Sequence, residues 1–220
     1  MSFFLAPSKF FGGLQARPTW IRAYLLSTAI TIATVVTAVP LVRYIALRQA
    51  PAGFSSTGRD LFDAVITKGQ YITVLVVPVT QLLRLSVSAY VVWALCVLVG
   101  ADPNFRKVLA VISHCSIVDA ADRLFGVSLN YLTDWQNISD VTALRMTLLS
   151  ARAYVDTRGQ PILRVLLDYL GLFSIWYLIL LVVGVSVVLP VTRTKAALVA
   201  GVFWLLGALI SVGNAMLAPG

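Results

Sequence analysis

Five long apolar runs punctuate the chain, with polar residues gathered at their ends. They cover about residues 22–42, 72–98, 105–129, 169–190 and 196–216. A helix needs roughly 20 largely apolar residues to cross a bilayer. Hydrocarbon offers the backbone no hydrogen-bond partner, so such runs satisfy their peptide groups internally as helices. The pattern predicts an all-α integral membrane bundle of five transmembrane helices, one domain over 21–216, with 217–220 as a short tail. The first, fourth and fifth runs carry no internal charge, and the second carries Arg84 at its middle. The third is the weakest, because it holds His114, Cys115, Asp119, Asp122 and Arg123. A four-span arrangement, with that third run lying in the interface, is the competing topology.

Two further segments have amphipathic patterns. Residues 1–20 place Phe3, Phe4, Phe10, Phe11, Leu14 and Trp20 beside Lys9 and Arg17, with no acid nearby. This reads as a cytoplasmic lead-in hugging the membrane surface. Gly12, Gly13 and Pro18 break any continuous apolar core, and no basic residue precedes Lys9, so a secretory signal is rejected. In the loop before the fourth span, Ser139 and Asp140 open a helix pattern. Val141, Leu144, Leu148, Ala151 and Val155 recur at helical spacing beside Arg145 and Arg152. That helix either lies on the membrane surface or lids the bundle.

Composition supports the membrane class. Of 220 residues 59% are hydrophobic and 12% charged, where a soluble domain carries about 25% charged residues. Too little polar surface remains to cover a water-soluble globule, so a soluble enzyme is excluded. The net charge of +8 sits at the ends of apolar runs, where topology and anionic headgroups account for it without nucleic acid. With the N-terminus inside, the inner segments hold Lys9, Arg17, Arg22, Arg106, Lys107, Arg193 and Lys195 against Asp102 alone. The longer outer loops balance eight basic residues with six acids. The expected orientation is therefore N-terminus cytoplasmic and C-terminus outside. All nine acids are Asp, and Arg greatly outnumbers Lys. That usage points to a GC-rich prokaryotic gene and an inner (plasma) membrane.

The charged residues inside the runs are the candidate chemistry. Arg84 and Asp119 lie at matched depth on antiparallel neighbours joined by the turn 100–104. An unpaired charge at that depth costs at least about 2.5 kcal/mol, so the two should pair. Cys115, Asp119 and Asp122 follow one another at i, i+4 and i+7, on one face of the third helix. The expected intramembrane polar cluster is Arg84, Cys115, Asp119 and Asp122, with Arg123 beside it and His114 pointing away. It either fixes helix register or lines a proton or ion path. Small residues on the fifth helix (Ala197 and Gly201, then Gly207, Ser211 and Ala215) allow close helix packing, internal or between copies. No nucleophile–base pair, phosphate loop or HExxH is found, so no catalytic residue is assigned. His114, Cys115 and Asp119 diverge in direction, so no metal site is assigned, and nothing calls for a cofactor. Cys96 and Cys115 differ too much in depth to form a disulfide.

Three stretches in order along the chain resemble the Yip family of membrane proteins, first known for interaction with Rab-type GTPases. One is Pro7-Ser8-Lys9-Phe10-Phe11 with Arg17-Pro18-Thr19-Trp20. The second is Gly100 followed by Phe105-Arg106-Lys107-Val108-Leu109-Ala110-Val111. The most specific is Leu167-Asp168-Tyr169 through Leu172-Phe173-Ser174-Ile175-Trp176-Tyr177, then Leu180-Leu181, Gly184 and Lys195-Ala196. The resemblance implies a five-helix domain, a cytoplasmic N-terminus and no enzyme. Eukaryotic members act as trafficking scaffolds and carry a long cytoplasmic N-terminal tail. Only about twenty residues precede the first span here. The implied role is a scaffold or accessory subunit bound to another membrane protein or to a second copy. The alternative from the residues themselves is a small ion- or proton-coupled transporter or channel. Where the family often carries an aromatic-Ser motif near a proline, this chain reads Ser113-His114-Cys115-Ser116.

Overall fold

The computed structural model describes residues 6–48, 56–132, 160–189 and 191–217. The amphipathic helix expected over 139–155 lies outside them. The described residues form seven helices and no strand: α1 Pro7–Ala16, α2 Ile21–Arg48, α3 Ser56–Leu98, α4 Phe105–Asn130, α5 Pro161–Asp168, α6 Leu172–Val188 and α7 Arg193–Leu217. Helices α2, α3 and α7 are each long and apolar enough to cross a membrane, and α6 is a shorter apolar helix of 17 residues.

The first two long helices outrun the apolar runs that predict them. Helix α2 continues through Pro40 to Arg48, and α3 begins at Ser56 and runs 43 residues through Pro78. At 1.5 Å per residue α3 is about 64 Å long, roughly twice the hydrocarbon thickness. Its first 16 residues (56–71), read from sequence as loop, are helical and add about 24 Å ahead of the apolar run. Arg43 clamps this extension to α2, its Nε and Nη2 donating to the two carboxylate oxygens of Asp63. Within the bundle Tyr24 Oη donates to the Pro78 carbonyl at 2.9 Å, a second tie between the two helices.

The turn from α3 to α4 is fixed by backbone chemistry. Gly100 takes a positive φ of 78°, which glycine adopts without a Cβ penalty. Gly100 N donates to the Val97 carbonyl and Ala101 N to the Cys96 carbonyl, closing a Schellman motif. Asn104 then caps α4, its side chain accepting from Arg106 N at 3.0 Å. Trp93 Nε1 pins the turn by donating to the Pro103 carbonyl at 2.9 Å. Helices α3 and α4 therefore run antiparallel from a common end.

Helix α4, the weakest span by hydropathy, is the centre of the bundle. It packs on α1, α2, α3 and α6, and residues 108–116 are all buried. A helix enclosed by protein need not be apolar all round, which explains its low hydropathy. Two of its polar residues bond back to their own helix: Ser116 Oγ donates to the Ser113 carbonyl, and His114 Nδ1 lies 2.8 Å from the Ala110 carbonyl.

Helix α1 does more than hug a surface. Phe11 and Leu14 are buried, and α1 packs on α6 and α4. Phe10 meets the His114 ring edge-on at 5.0 Å. The packing of Phe11 against α6 relies on Gly184, which has no side chain. A Cβ there would fall 2.6 Å from Val111 Cγ1 and 3.1 Å from Phe11 Cε1. Gly171 is the N-cap of α6, with no side-chain cap bond, and Asp168 ends the separate short helix α5.

Candidate functional site

Four helices surround a cavity of about 590 Å³. Helix α3 supplies Arg84 and Ser88, α4 supplies Asp119, Asp122 and Arg123, and α6 supplies Phe173, Ser174 and Tyr177. Helix α7 supplies Trp204, Gly207 and Ser211, and Tyr169 enters from the turn between α5 and α6. The common origin of α3 and α4 sets the register. Arg84 lies fourteen residues before Leu98, and Asp119 lies fourteen after Phe105. Both therefore stand about 21 Å from the shared end.

Asp119 is the hub. Arg84 Nη2 donates to its Oδ2 across the α3–α4 interface. Arg123 Nη2 donates to the same oxygen at 2.7 Å, one turn along α4. The Arg84, Asp119 and Arg123 side chains are 39%, 34% and 46% exposed, and the surface they expose lines the cavity. Asp122 lines the same wall half-buried. Two arginines and two aspartates bring the cluster to zero net charge when all four are ionised.

Of the four residues expected to cluster, the structure brings together Arg84, Asp119 and Asp122. Cys115 lies one turn nearer the α3–α4 turn, fully buried in the apolar core, and does not line the cavity. Cys96 and Cys115 are both free thiols. Among the described residues no group of three or more His, Cys, Asp or Glu is placed to hold a metal ion.

The small residues of α7 divide. Gly207 and Ser211 pack against Tyr169, whose hydroxyl lies 2.8 Å from Ser211 Oγ. Gly201 faces open space, where an added Cβ would meet nothing within 4 Å, and Ala197 is exposed. The buried face of α7 is instead Ala196, Val199, Ala200 and Ala208. Ala215 lies half-buried near the helix end.

Sequence reasoning did not single out Ser88 or Trp204. Ser88 sits four residues after Arg84, hence on the same helical face, and that spacing was the available signal. Trp204 carried none, because its place depends on Tyr169, 35 positions earlier. The two rings meet edge-on at 5.6 Å. Trp204 Nε1 is buried with no hydrogen-bond partner among the described residues.

The family model described as the Yip1 domain matches residues 1–213. The chain belongs to the Yip1-domain family. It is therefore a multi-pass membrane protein of a family associated with membrane trafficking and not known for catalysis. No curated protein and no solved structure matches it. The match spans α1 through most of α7 and so includes every cavity-lining residue named above.

Proposed function

We propose that this Yip1-domain protein is a non-enzymatic scaffold or accessory subunit. It crosses the membrane five times, through α2, α3, α4, α6 and α7, with its N-terminus in the cytoplasm of a prokaryotic cell. Support for the crossings by α4 and α6 comes from packing and length. Helix α4 packs on four other helices and turns Asp119, Asp122 and Arg123 toward the cavity between them, and α6 offers 17 residues of high apolarity, about 26 Å. The basic residues of α1 and of the starts of α4 and α7 lie at the proposed inner face, against only Asp102.

The observation that carries the scaffold reading is the α3 extension. It stands clear of the apolar run, clamped to α2 by the Arg43–Asp63 pair. It presents Leu61 and Val65, one turn apart, at 65% and 68% exposure. Large side chains on a braced helix beyond the hydrocarbon match the anchors by which helices dock into partner grooves. The partner is another membrane protein or a second copy of this chain.

Purification in mild detergent should bring down a stoichiometric partner or a homo-oligomer. The double substitution Leu61→Asp, Val65→Asp should release it while leaving the bundle folded. A monomeric particle with no partner contradicts the reading. The charges that line the cavity support a second reading, an ion- or proton-coupled transporter. Ion or proton flux in proteoliposomes, abolished by Asp119→Asn, would replace the scaffold with that activity.

A further inference from the structure

The charged side chains of the cavity gather toward one end, and Val91 and Phe203 line the other. Measured from the shared end of α3 and α4, Arg84 and Asp119 stand about 21 Å up, and Ser211 about 27 Å up from the start of α7. Val91 stands only about 10 Å up and Phe203 about 15 Å. The polar end thus faces one membrane surface and the apolar end reaches toward the bilayer centre. The mouth lies between α3 and α7, where the lining residues Val87 and Ile210 are 60% and 66% exposed. On the five-span reading that flank meets acyl chains, so the opening admits molecules held in the bilayer.

Charge within the polar end is separated. Arg84, Asp119 and Arg123 together carry one net positive charge. Arg84 spends Nη2 on Asp119, which leaves Nε and Nη1 as donors. Asp122 carries the compensating negative charge, Asp168 lies close enough to add to the negative potential there, and no hydrogen bond or ion pair joins Asp122 to another described residue. An anion alone would face Asp122, and a cation alone would face the arginines. A molecule carrying both charges meets both. The volume of about 590 Å³ falls within the roughly 300–1,000 Å³ of ligand pockets.

We propose that this cavity binds a zwitterionic phospholipid, with its phosphate on Arg84, its ammonium on Asp122 and an acyl chain running past Phe203 and Val91. Arginine suits the phosphate because its planar fork matches phosphate oxygens. The proposal rests on the five-span reading for what reaches the mouth, and it is independent of the scaffold role.

The test uses the delipidated full-length protein in maltoside detergent, with binding read by native mass spectrometry. The probes are short-chain phosphatidylethanolamine, phosphatidylglycerol with the same chains, and free phosphoethanolamine. Phosphatidylethanolamine should bind saturably at one site and about tenfold more tightly than either other probe, the margin of one charge-assisted hydrogen bond. Asp122→Asn should erase its advantage over phosphatidylglycerol. Ser88→Trp, which fills the cavity without changing its charge, should abolish binding while the variant's thermal melt stays cooperative. Equal binding of both lipids, insensitive to both substitutions, means annular lipid and overturns the proposal. Free phosphoethanolamine binding as tightly as the lipid overturns it in favour of a soluble ligand. A co-purified polypeptide that cross-links to the Ser88→Cys variant overturns it in favour of a protein occupant. Cysteine labelling from the two sides of the membrane reports the span count separately, so failure of the topology is distinguishable from failure of the lipid site.

Discussion

Gly184→Ala adds one methyl group where α1, α4 and α6 converge. The new Cβ would lie 2.6 Å from Val111 Cγ1 and 3.1–3.2 Å from two Phe11 ring atoms. Val111 is fully buried on the central helix, and its β-branched side chain has no free rotamer to retreat into. Phe11 belongs to a ten-residue helix, so the strain is relieved first by α1 moving off α6. Overpacking of this kind costs about 1–3 kcal/mol. Replacing a mid-helix glycine with alanine returns about 1 kcal/mol of helix propensity. The net expectation is a loss of about 1–2 kcal/mol, since the closest clash is with an atom that cannot yield. Unfolding by SDS titration in mixed micelles measures it. Val111→Ala removes the clashing carbon, so the double variant should be more stable than the sum of the two single losses. A Gly184→Ala protein as stable as the parent, with additive behaviour alongside Val111→Ala, would refute the close approach of α4 and α6.

Other substitutions probe separate contacts. Phe11→Ala should cost about 3 kcal/mol of α1 docking, as truncation of a fully buried aromatic does. Hydrogen exchange should then quicken across α1 while the amides of α4 stay protected, and uniform slow exchange would contradict the docked lead-in. Tyr169→Phe removes the hydroxyl beside Ser211 and should lower stability by about 1 kcal/mol. Ser211→Ala should cause a similar loss, and the pair together should lose little more than either alone. Additive losses would mean that the two hydroxyls do not bond.

Much of the helical plan is legible from hydrophobic period and length. The runs at 22–42, 72–98 and 196–216 correspond to α2, α3 and α7, and the turn around Gly100 is marked by glycine and proline. Legibility fails where packing overrides composition. The third run is weak because α4 faces protein on several sides: Ser116 and His114 bond carbonyls of their own helix, and Asp119 is met by Arg84 of α3. The segment 56–71 reads as loop because Gly58, Asp60, Asp63 and Lys68 interrupt its apolar pattern, yet it continues α3. Contact with α2 through Arg43 supports it there, a long-range fact invisible to a sequence window. Docking of α1 depends on a missing side chain at Gly184, and the cavity depends on Tyr169 meeting Trp204. Both are juxtapositions of distant positions. Arg84 and Asp119 were readable as partners because the short turn fixes the offset between their helices. The sharing of Asp119 between two arginines was not, since Arg123 sits on its own helix and its reach depends on a rotamer.

The central claim is that Arg84 and Asp119 hold α3 against α4 inside the bilayer. Their coupling energy is the most direct measure, taken from Arg84→Met, Asp119→Asn and the double variant by reversible unfolding in micelles. Breaking a buried ion pair costs about 3–5 kcal/mol, and partial exposure of both side chains lowers the expectation to about 1–3 kcal/mol. Each single variant should lose that much, and the double variant should lose scarcely more than one of them. Strictly additive losses would show that the two charges do not meet and would contradict the account.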